Sequence, residues 1–161
     1  MKALVVTVSN RAAAGVYEDR GGPLVVAALR ELDAEVDGPM VVPDGDPVEA
    51  VLRQAVDARY DVVITTGGTG LSPLDLTPEM TRRVLDLEIP GLADAIRSYG
   101  REHGVPTAVL SRGLAGRAGR TLVVNLPGST GGVRDGMAVL APVLGHAVDQ
   151  IAGGDHPRSN A

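Results

Sequence analysis

The run Val62-Val63-Ile64 is apolar at every position within the segment Asp61 to Thr66. A strand wetted on one face alternates apolar with polar residues, so an unbroken β-branched run calls for cover on both faces, as in a parallel sheet with helices on either side. Ala3 to Val8, ended by Ser9 and Asn10, is a second such run, and Thr121 to Val124 is a third. Glu35 to Val42 also reads as a strand. Pro39 within it points to the sheet edge, where a missing N–H breaks no ladder.

Between these runs the apolar residues recur at helical spacing. Pro23 suits a first helical position, and Leu24, Ala27, Ala28 and Leu32 follow it toward Asp33. Asp46 caps a second helix with Pro47 behind it, and Val48, Val51, Leu52, Ala55 and Val56 form its stripe toward Arg59. Thr77-Pro78 opens a third, whose partner runs from Leu92 to Tyr99 after a break at Ile89-Pro90-Gly91. Val133, Met137, Leu140, Leu144, Val148 and Ile151 mark a long closing helix. Alternating strands and helices predict an α/β fold, a three-layer α/β/α sandwich with a mostly parallel central sheet. One domain is expected over residues 1–152, with a flexible C-terminal tail over 153–161. No repeat or linker interrupts it.

Composition narrows the function. Tyr17, Tyr60 and Tyr99 are the only aromatic residues, so base stacking has almost no platform. The net charge of −5 disfavours a general nucleic-acid binder. Without cysteine there is no disulfide, thiolate nucleophile or Cys-ligated zinc. No apolar run reaches the ~20 residues that span a bilayer, and no secretory leader opens the sequence, so a soluble, cytoplasmic protein is expected.

Ligands of open α/β sheets bind beyond the carboxyl ends of the strands, and three loops there carry chemistry. Thr65-Thr66-Gly67-Gly68-Thr69-Gly70 is either an anion-binding loop, its glycines baring backbone amides, or a tight turn with no ligand. It has neither the Gly-Lys-Ser/Thr ending of a P-loop nor the spacing of a dinucleotide fold. Asp75, ahead of Thr77-Pro78-Glu79, can share Mg²⁺ with substrate phosphates or simply serve the turn, and Asp44 can converge with it. Asn125-Leu126-Pro127-Gly128-Ser129 offers an amide for ring heteroatoms and a helix N-terminus for anions, or else a plain turn with a serine cap. Ser111-Arg112 reads as a polar contact or a solvated loop. Arg82-Arg83 reads as a solvated helix face in preference to a phosphate clamp, Gly113 to Arg120 as a surface loop in preference to a mobile one closing over an anionic ligand, and His103, His146 and His156 as structural or surface residues.

Taken in order, these loops, together with Val42-Pro43-Asp44 and Gly22-Pro23, resemble the MogA/MoaB family of molybdenum-cofactor biosynthesis over roughly residues 2 to 151. The resemblance implies a molybdopterin-binding fold, a homotrimer or dimer of trimers, and adenylylation of molybdopterin by Mg²⁺-ATP with release of pyrophosphate. It implies catalytic, metal-linked roles for Asp44 and Asp75. It further implies substrate contacts from Ser9, Gly67, Gly68, Thr69, Gly70, Ser111, Asn125, Pro127, Gly128 and Ser129. A molybdate-insertion enzyme is the partner it suggests. The sequence departs from the family pattern in four places: Asn10 where Asp is frequent, Gly21 where Ser is frequent, Leu74 where Arg commonly precedes the second Asp, and Thr130 where Pro is common. Leu74 keeps a non-catalytic, molybdopterin-binding assembly protein as the alternative. A pyrophosphatase-like relative of the CinA type is a more distant one.

Overall fold

The structure is a computed structural model and describes residues 1–154. Its elements are β1 (Lys2–Val8), α1 (Asn10–Ala13), α2 (Gly21–Glu31), β2 (Glu35–Val42), α3 (Asp46–Asp57), β3 (Val62–Thr66), α4 (Thr77–Arg82), β4 (Leu87–Glu88), α5 (Pro90–Glu102), a 3-10 helix (Pro106–Leu110), β5 (Ala115–Ala118), β6 (Thr121–Leu126) and α6 (Thr130–Ile151). They build one six-stranded sheet in the order β2-β1-β3-β6-β5-β4. The first four strands in that order run parallel, and β5 and β4 add an antiparallel edge.

The unbroken apolar runs occupy the sheet centre, where every residue of β3 and β6 is buried. Alternate side chains of the sheet feed two cores. Ala3, Val5, Val62, Ile64, Leu122 and Val124 pack on one face against Val25 and Leu29 of α2, Ala93 and Ile96 of α5, and Met137, Leu140 and Leu144 of α6. Leu4, Val6, Val63 and Val123 pack on the other against Val48, Val51, Leu52 and Ala55 of α3 and Met80 of α4. Burying such side chains contributes roughly 1.5–3 kcal/mol each, which is why continuous runs, and not alternating ones, sit here. The three layers match the expected class, and β2 lies at an edge.

The details differ in four respects. The helix expected from Leu92 begins at Pro90, so the supposed break is its first turn. It does not partner α4: the two lie on opposite faces of the sheet. Asp46 is the first residue of α3 and not its cap, a place taken by Gly45 at φ +93°. The expected surface loop from Gly113 to Arg120 contains β5, which is recruited by pairing with β6 and not by any apolar pattern of its own. The tail, beyond Gly154, lies outside the described residues. Among the described residues no helix is long and apolar enough to cross a membrane.

Connectivity explains where a ligand can sit. The chain leaves β1 toward α2 on one face, β3 toward α4 on the other, and β6 toward α6 on the first face again. Neighbouring strands whose exits diverge open a crevice at their carboxyl ends. Crevices therefore flank the loop after β3 on both sides.

Candidate functional site

That loop, residues 67–76, is a ridge between two cavities. Gly67 at φ +98° and Gly68 at φ +65° start it. A Cβ on Gly67 would overlap the Val8 carbonyl oxygen, and one on Gly68 would overlap Asp44 Oδ2 and Thr77 Oγ1, so both positions require glycine for space as well as for backbone angle. Among the described residues the N–H groups of Gly68, Thr69 and Gly70 find no acceptor. Three unspent amides on consecutive residues form a concavity suited to an anion.

Asp44 follows β2 and reaches over the ridge. Its Oδ1 accepts from the Gly45 amide at 2.7 Å and the Thr77 hydroxyl at 3.4 Å, and its Oδ2 accepts from the Leu76 amide at 3.1 Å. Burial pushes its carboxyl above the usual value. The hydrogen bonds pull the other way without winning, and the Asp75 charge adds to the rise. Asp75 accepts the Ser72 amide at 3.1 Å through Oδ2, which lies 2.8 Å from where a Cβ on Gly70 would stand. Both carboxylates line one cavity of about 720 Å³, with Ser9, Asn10, Arg11, Tyr17, Asp19, Arg20, Gly67, Gly68, Gly128 and Ser129.

No group of three His, Cys, Asp or Glu suited to a metal occurs among the described residues. Two hard carboxylates on a phosphate-sized mouth nevertheless fit a divalent cation that takes its remaining ligands from substrate phosphates and water. The observation that favours such a cation is the half-buried Asp44 carboxyl, whose ionised form is disfavoured first by burial and then by the nearby Asp75 charge.

The second cavity, about 640 Å³, lies on the β6 side of the ridge between α5, the 3-10 helix and the start of α6. Gly68, Asp75, Gly128 and Ser129 line both cavities. Gly128 packs so closely that a Cβ on it would stand 3.2 Å from the Gly67 Cα. Thr69, Gly70, Ser111 and Pro127 face this second side, with apolar walls from Leu71, Ile96, Val105, Ala108 and Leu110. Ser129 caps α6 by accepting the Gly132 amide at 3.0 Å. The positive end of that 22-residue helix thus points at the shared mouth.

Of the residues to which the resemblance gives catalytic or substrate-contact roles, Asn125 alone lines neither cavity. It is 3% exposed, its Oδ1 accepts from the Leu114 amide at 3.1 Å, and its Nδ2 donates to Thr65 and Thr81 hydroxyls at 3.0 Å each. An amide with its bonds committed inside the protein cannot read a ring, so its role is to tie β3, α4 and β6 together beneath the site. Ser9 lines the first cavity while capping α1 through the Ala12 amide. His103 stacks on Tyr99, and Arg82 and Arg83 pair with Glu88 and Glu49 at the surface, in line with structural readings of all three.

Sequence reasoning passed over several residues. The Asn10 side chain accepts the Asp44 amide at 2.9 Å, anchoring that carboxylate from 34 positions away. Asp19 accepts the Gly22 amide and the Thr7 hydroxyl, fixing the entry to α2 at the cavity wall. Arg11 and Arg20 bring cations to the carboxylate-lined cavity. Of the two readings of Arg112, the polar contact holds: it donates to the Gly70 carbonyl at 2.8 Å, to the Asp75 carbonyl at 2.7 Å and to Glu79. Desolvation pushes the Glu79 carboxyl up, but the hydrogen bond and charge of Arg112 outweigh it and leave it below the usual value.

An open parallel sheet with bare amides and a helix N-terminus gathered at one strand tip defines an α/β protein whose crevice is adapted to anionic ligands. The chain belongs to the family described as "Probable molybdopterin binding domain", whose model matches residues 4–146. It is 35% identical over 153 residues to the molybdopterin adenylyltransferase of Helicobacter pylori strain J99, an alignment covering 92% of this chain and 86% of that protein. Among solved structures it is similar to the molybdopterin biosynthesis Mog protein from Mycobacterium ulcerans, at 55% identity and a TM-score of 0.89, covering 93% of this chain and 98% of that one. A MogA structure is similar at 58% identity and a TM-score of 0.91, covering 94% and 99%.

Proposed function

We propose that this protein binds molybdopterin and adenylylates it with Mg²⁺-ATP in molybdenum-cofactor biosynthesis. A terminal phosphate oxygen of molybdopterin attacks the α-phosphorus of ATP, a new P–O bond forms, the bond to the β-phosphate oxygen breaks, and pyrophosphate leaves. The observation that carries this reading is the ridge itself: Gly68 borders both cavities, the amides of Gly68, Thr69 and Gly70 find no acceptor among the described residues, and two carboxylates from separate crossovers line the same cavity. The adenylyltransferase relatives support it.

Each residue then has a task. The Gly68–Gly70 amides and the α6 N-terminus hold phosphate oxygens in line, and alignment of this kind supplies much of the catalysis of phosphoryl and nucleotidyl transfer. Arg11 and Arg20 offset triphosphate charge in the first cavity, while Thr69 and Ser111 orient the pterin phosphate from the second. Asp44 and Asp75 would hold Mg²⁺, which neutralises charge developing on the phosphates. Trimeric or hexameric assembly, a cytoplasmic location and hand-over to a molybdate-insertion enzyme complete the proposal.

The test is pyrophosphate release by purified protein supplied with molybdopterin and Mg²⁺-ATP. Asp75→Ala should retain molybdopterin binding and lose turnover. Full turnover in that variant would overturn the metal-linked role of Asp75. Wild-type protein that binds molybdopterin but releases no pyrophosphate would establish the binding-only alternative.

A further inference from the structure

The apolar cavity contains one carboxylate with nothing to do. Asp135, on the second turn of α6, lines it at the end away from the ridge and has no hydrogen-bond or ion-pair partner among the described residues. The nearest candidate cation in that cavity is committed elsewhere: Arg97 donates to the Ser111 and Gly113 carbonyls at 3.2 and 3.0 Å and to Asp94 at 2.6 Å. Gly100 on α5 makes room beside Asp135. A Cβ there would stand 2.8 Å from the Ala108 Cβ and 3.6 Å from Asp135 Oδ2, so the absent side chain leaves a slot along the carboxylate.

The cavity is therefore polar at both ends in opposite senses. Amides and a helix N-terminus at Ser129 present donors at one end. Six residues further along α6, roughly 9 Å by helical rise, Asp135 presents two acceptors. A partly buried carboxylate without a cation is matched by paired N–H donors, which give a charge-assisted bidentate contact. The 2-amino-4-oxopyrimidine edge carries such a pair, the exocyclic amine and the adjacent ring N–H. Adenine places an acceptor beside its amine and meets the carboxylate with one repulsion.

We propose that Asp135 is a specificity-determining residue: its carboxylate pairs with the 2-amino-4-oxopyrimidine edge of the pterin and so fixes which ring enters the apolar cavity. The inference rests on the adenylyltransferase reading for the identity of the ligand. It makes Asp135 the counterpart of the glycine ridge, one end of the cavity reading the ring while the other holds the phosphate. Adenine is left to the carboxylate-lined cavity, where Asp135 is absent.

Binding of pterin, lumazine and GMP to the whole protein, followed by saturation-transfer NMR at up to millimolar ligand, tests it. Lumazine replaces the 2-amino donor with an oxygen. Wild type should favour pterin over lumazine by about tenfold or more, the worth of one hydrogen bond to a charged group. Asp135→Asn should bring the two within about threefold of each other, because an amide can turn to suit either edge, and Asp135→Glu should restore part of the preference. An unchanged pterin-to-lumazine ratio in Asp135→Asn, or wild type that binds neither or does not distinguish them, overturns the proposal. GMP, whose guanine carries the same donor pair, should lose affinity in Asp135→Asn as pterin does, and GMP binding untouched by that substitution overturns the proposal. Pyrophosphate release is scored separately. Ring discrimination without release counts against the adenylyltransferase reading alone, and release with an unchanged ratio counts against the role of Asp135 alone.

Discussion

The guanidinium of Arg112 donates to the main-chain carbonyl of Asp75 at 2.7 Å, joining residues 37 positions apart. The same group holds the Gly70 carbonyl, and the Arg112 amide donates to the Thr69 carbonyl at 2.8 Å. With these carbonyls held by Arg112, the neighbouring amides of Gly68, Thr69 and Gly70 remain without an acceptor among the described residues.

Arg112→Met should therefore lower stability by about 2 kcal/mol, the cost of losing hydrogen bonds to a charged group. It should also reduce kcat by roughly tenfold to a hundredfold through misplacement of Asp75. Denaturant melts and steady-state kinetics check both. The pair with Glu79 adds a pH signature. The folded Glu79 pKa is depressed, so its contribution is present above the ordinary 4.5 and is lost as pH falls through the lower folded value. Glu79→Gln should be less stable than wild type at neutral pH and should lose that deficit in acid.

Asp44 titrates in the opposite sense. Its folded pKa is raised above the ordinary 3.8, so the carboxyl favours the fold below that pH, and this contribution is lost as pH rises through the raised value. At neutral pH the ionised group is a cost that a bound cation offsets. Asp44→Asn should accordingly be no less stable than wild type at neutral pH, yet slower by on the order of a hundredfold or more. In thermal shift, Mg²⁺-ATP should stabilise wild type more than the variant, and equal shifts would remove Asp44 from the metal site.

Removing the buried Asn125 amide strands two threonine hydroxyls and the Leu114 amide. Asn125→Ala should cost about 2–4 kcal/mol, the penalty for unsatisfied buried polar groups, seen as a melting temperature lower by about 5–15 °C. A variant that melts like wild type and only binds pterin less well would return Asn125 to the ligand.

Leu74 is 66% exposed at the edge of the carboxylate-lined cavity. Leu74→Arg should leave the melting temperature unchanged and lower the KM for ATP by about twofold to fivefold, the range of an exposed charge pair. The gain should fade in high salt.

The sheet centre was legible because burial on both faces demands unbroken apolar runs, as in Val62-Val63-Ile64. Ala115-Gly116-Arg117-Ala118 and Leu87–Glu88 carry no such pattern and become strands only because β6 offers the first an edge to pair with and the first offers one to the second. Asp44, Asp75 and the glycine loop could be read from their places after strands. The orientation of Asn125 could not, since a carboxamide at a strand end has the same letter whether it faces ligand or core. Arg112 could be read as a polar contact but its partners could not, and Asp135 was hidden altogether, because what defines each is a partner, or the lack of one, on segments distant in sequence.

Gly67 and Gly128 approach closely, with a Cβ on Gly128 only 3.2 Å from the Gly67 Cα, and Gly68, Asp75, Gly128 and Ser129 border both cavities. Under the proposed function each substrate would hold one side, whereas an adenylylated product would straddle the divide and grip both at once, gaining the advantage that any tethered pair has over its separate halves. Departure of that product would then govern turnover. Rapid-mixing experiments should show an initial burst approaching one pyrophosphate per active site, followed by a slower steady rate that quickens when an acceptor enzyme draws the product away.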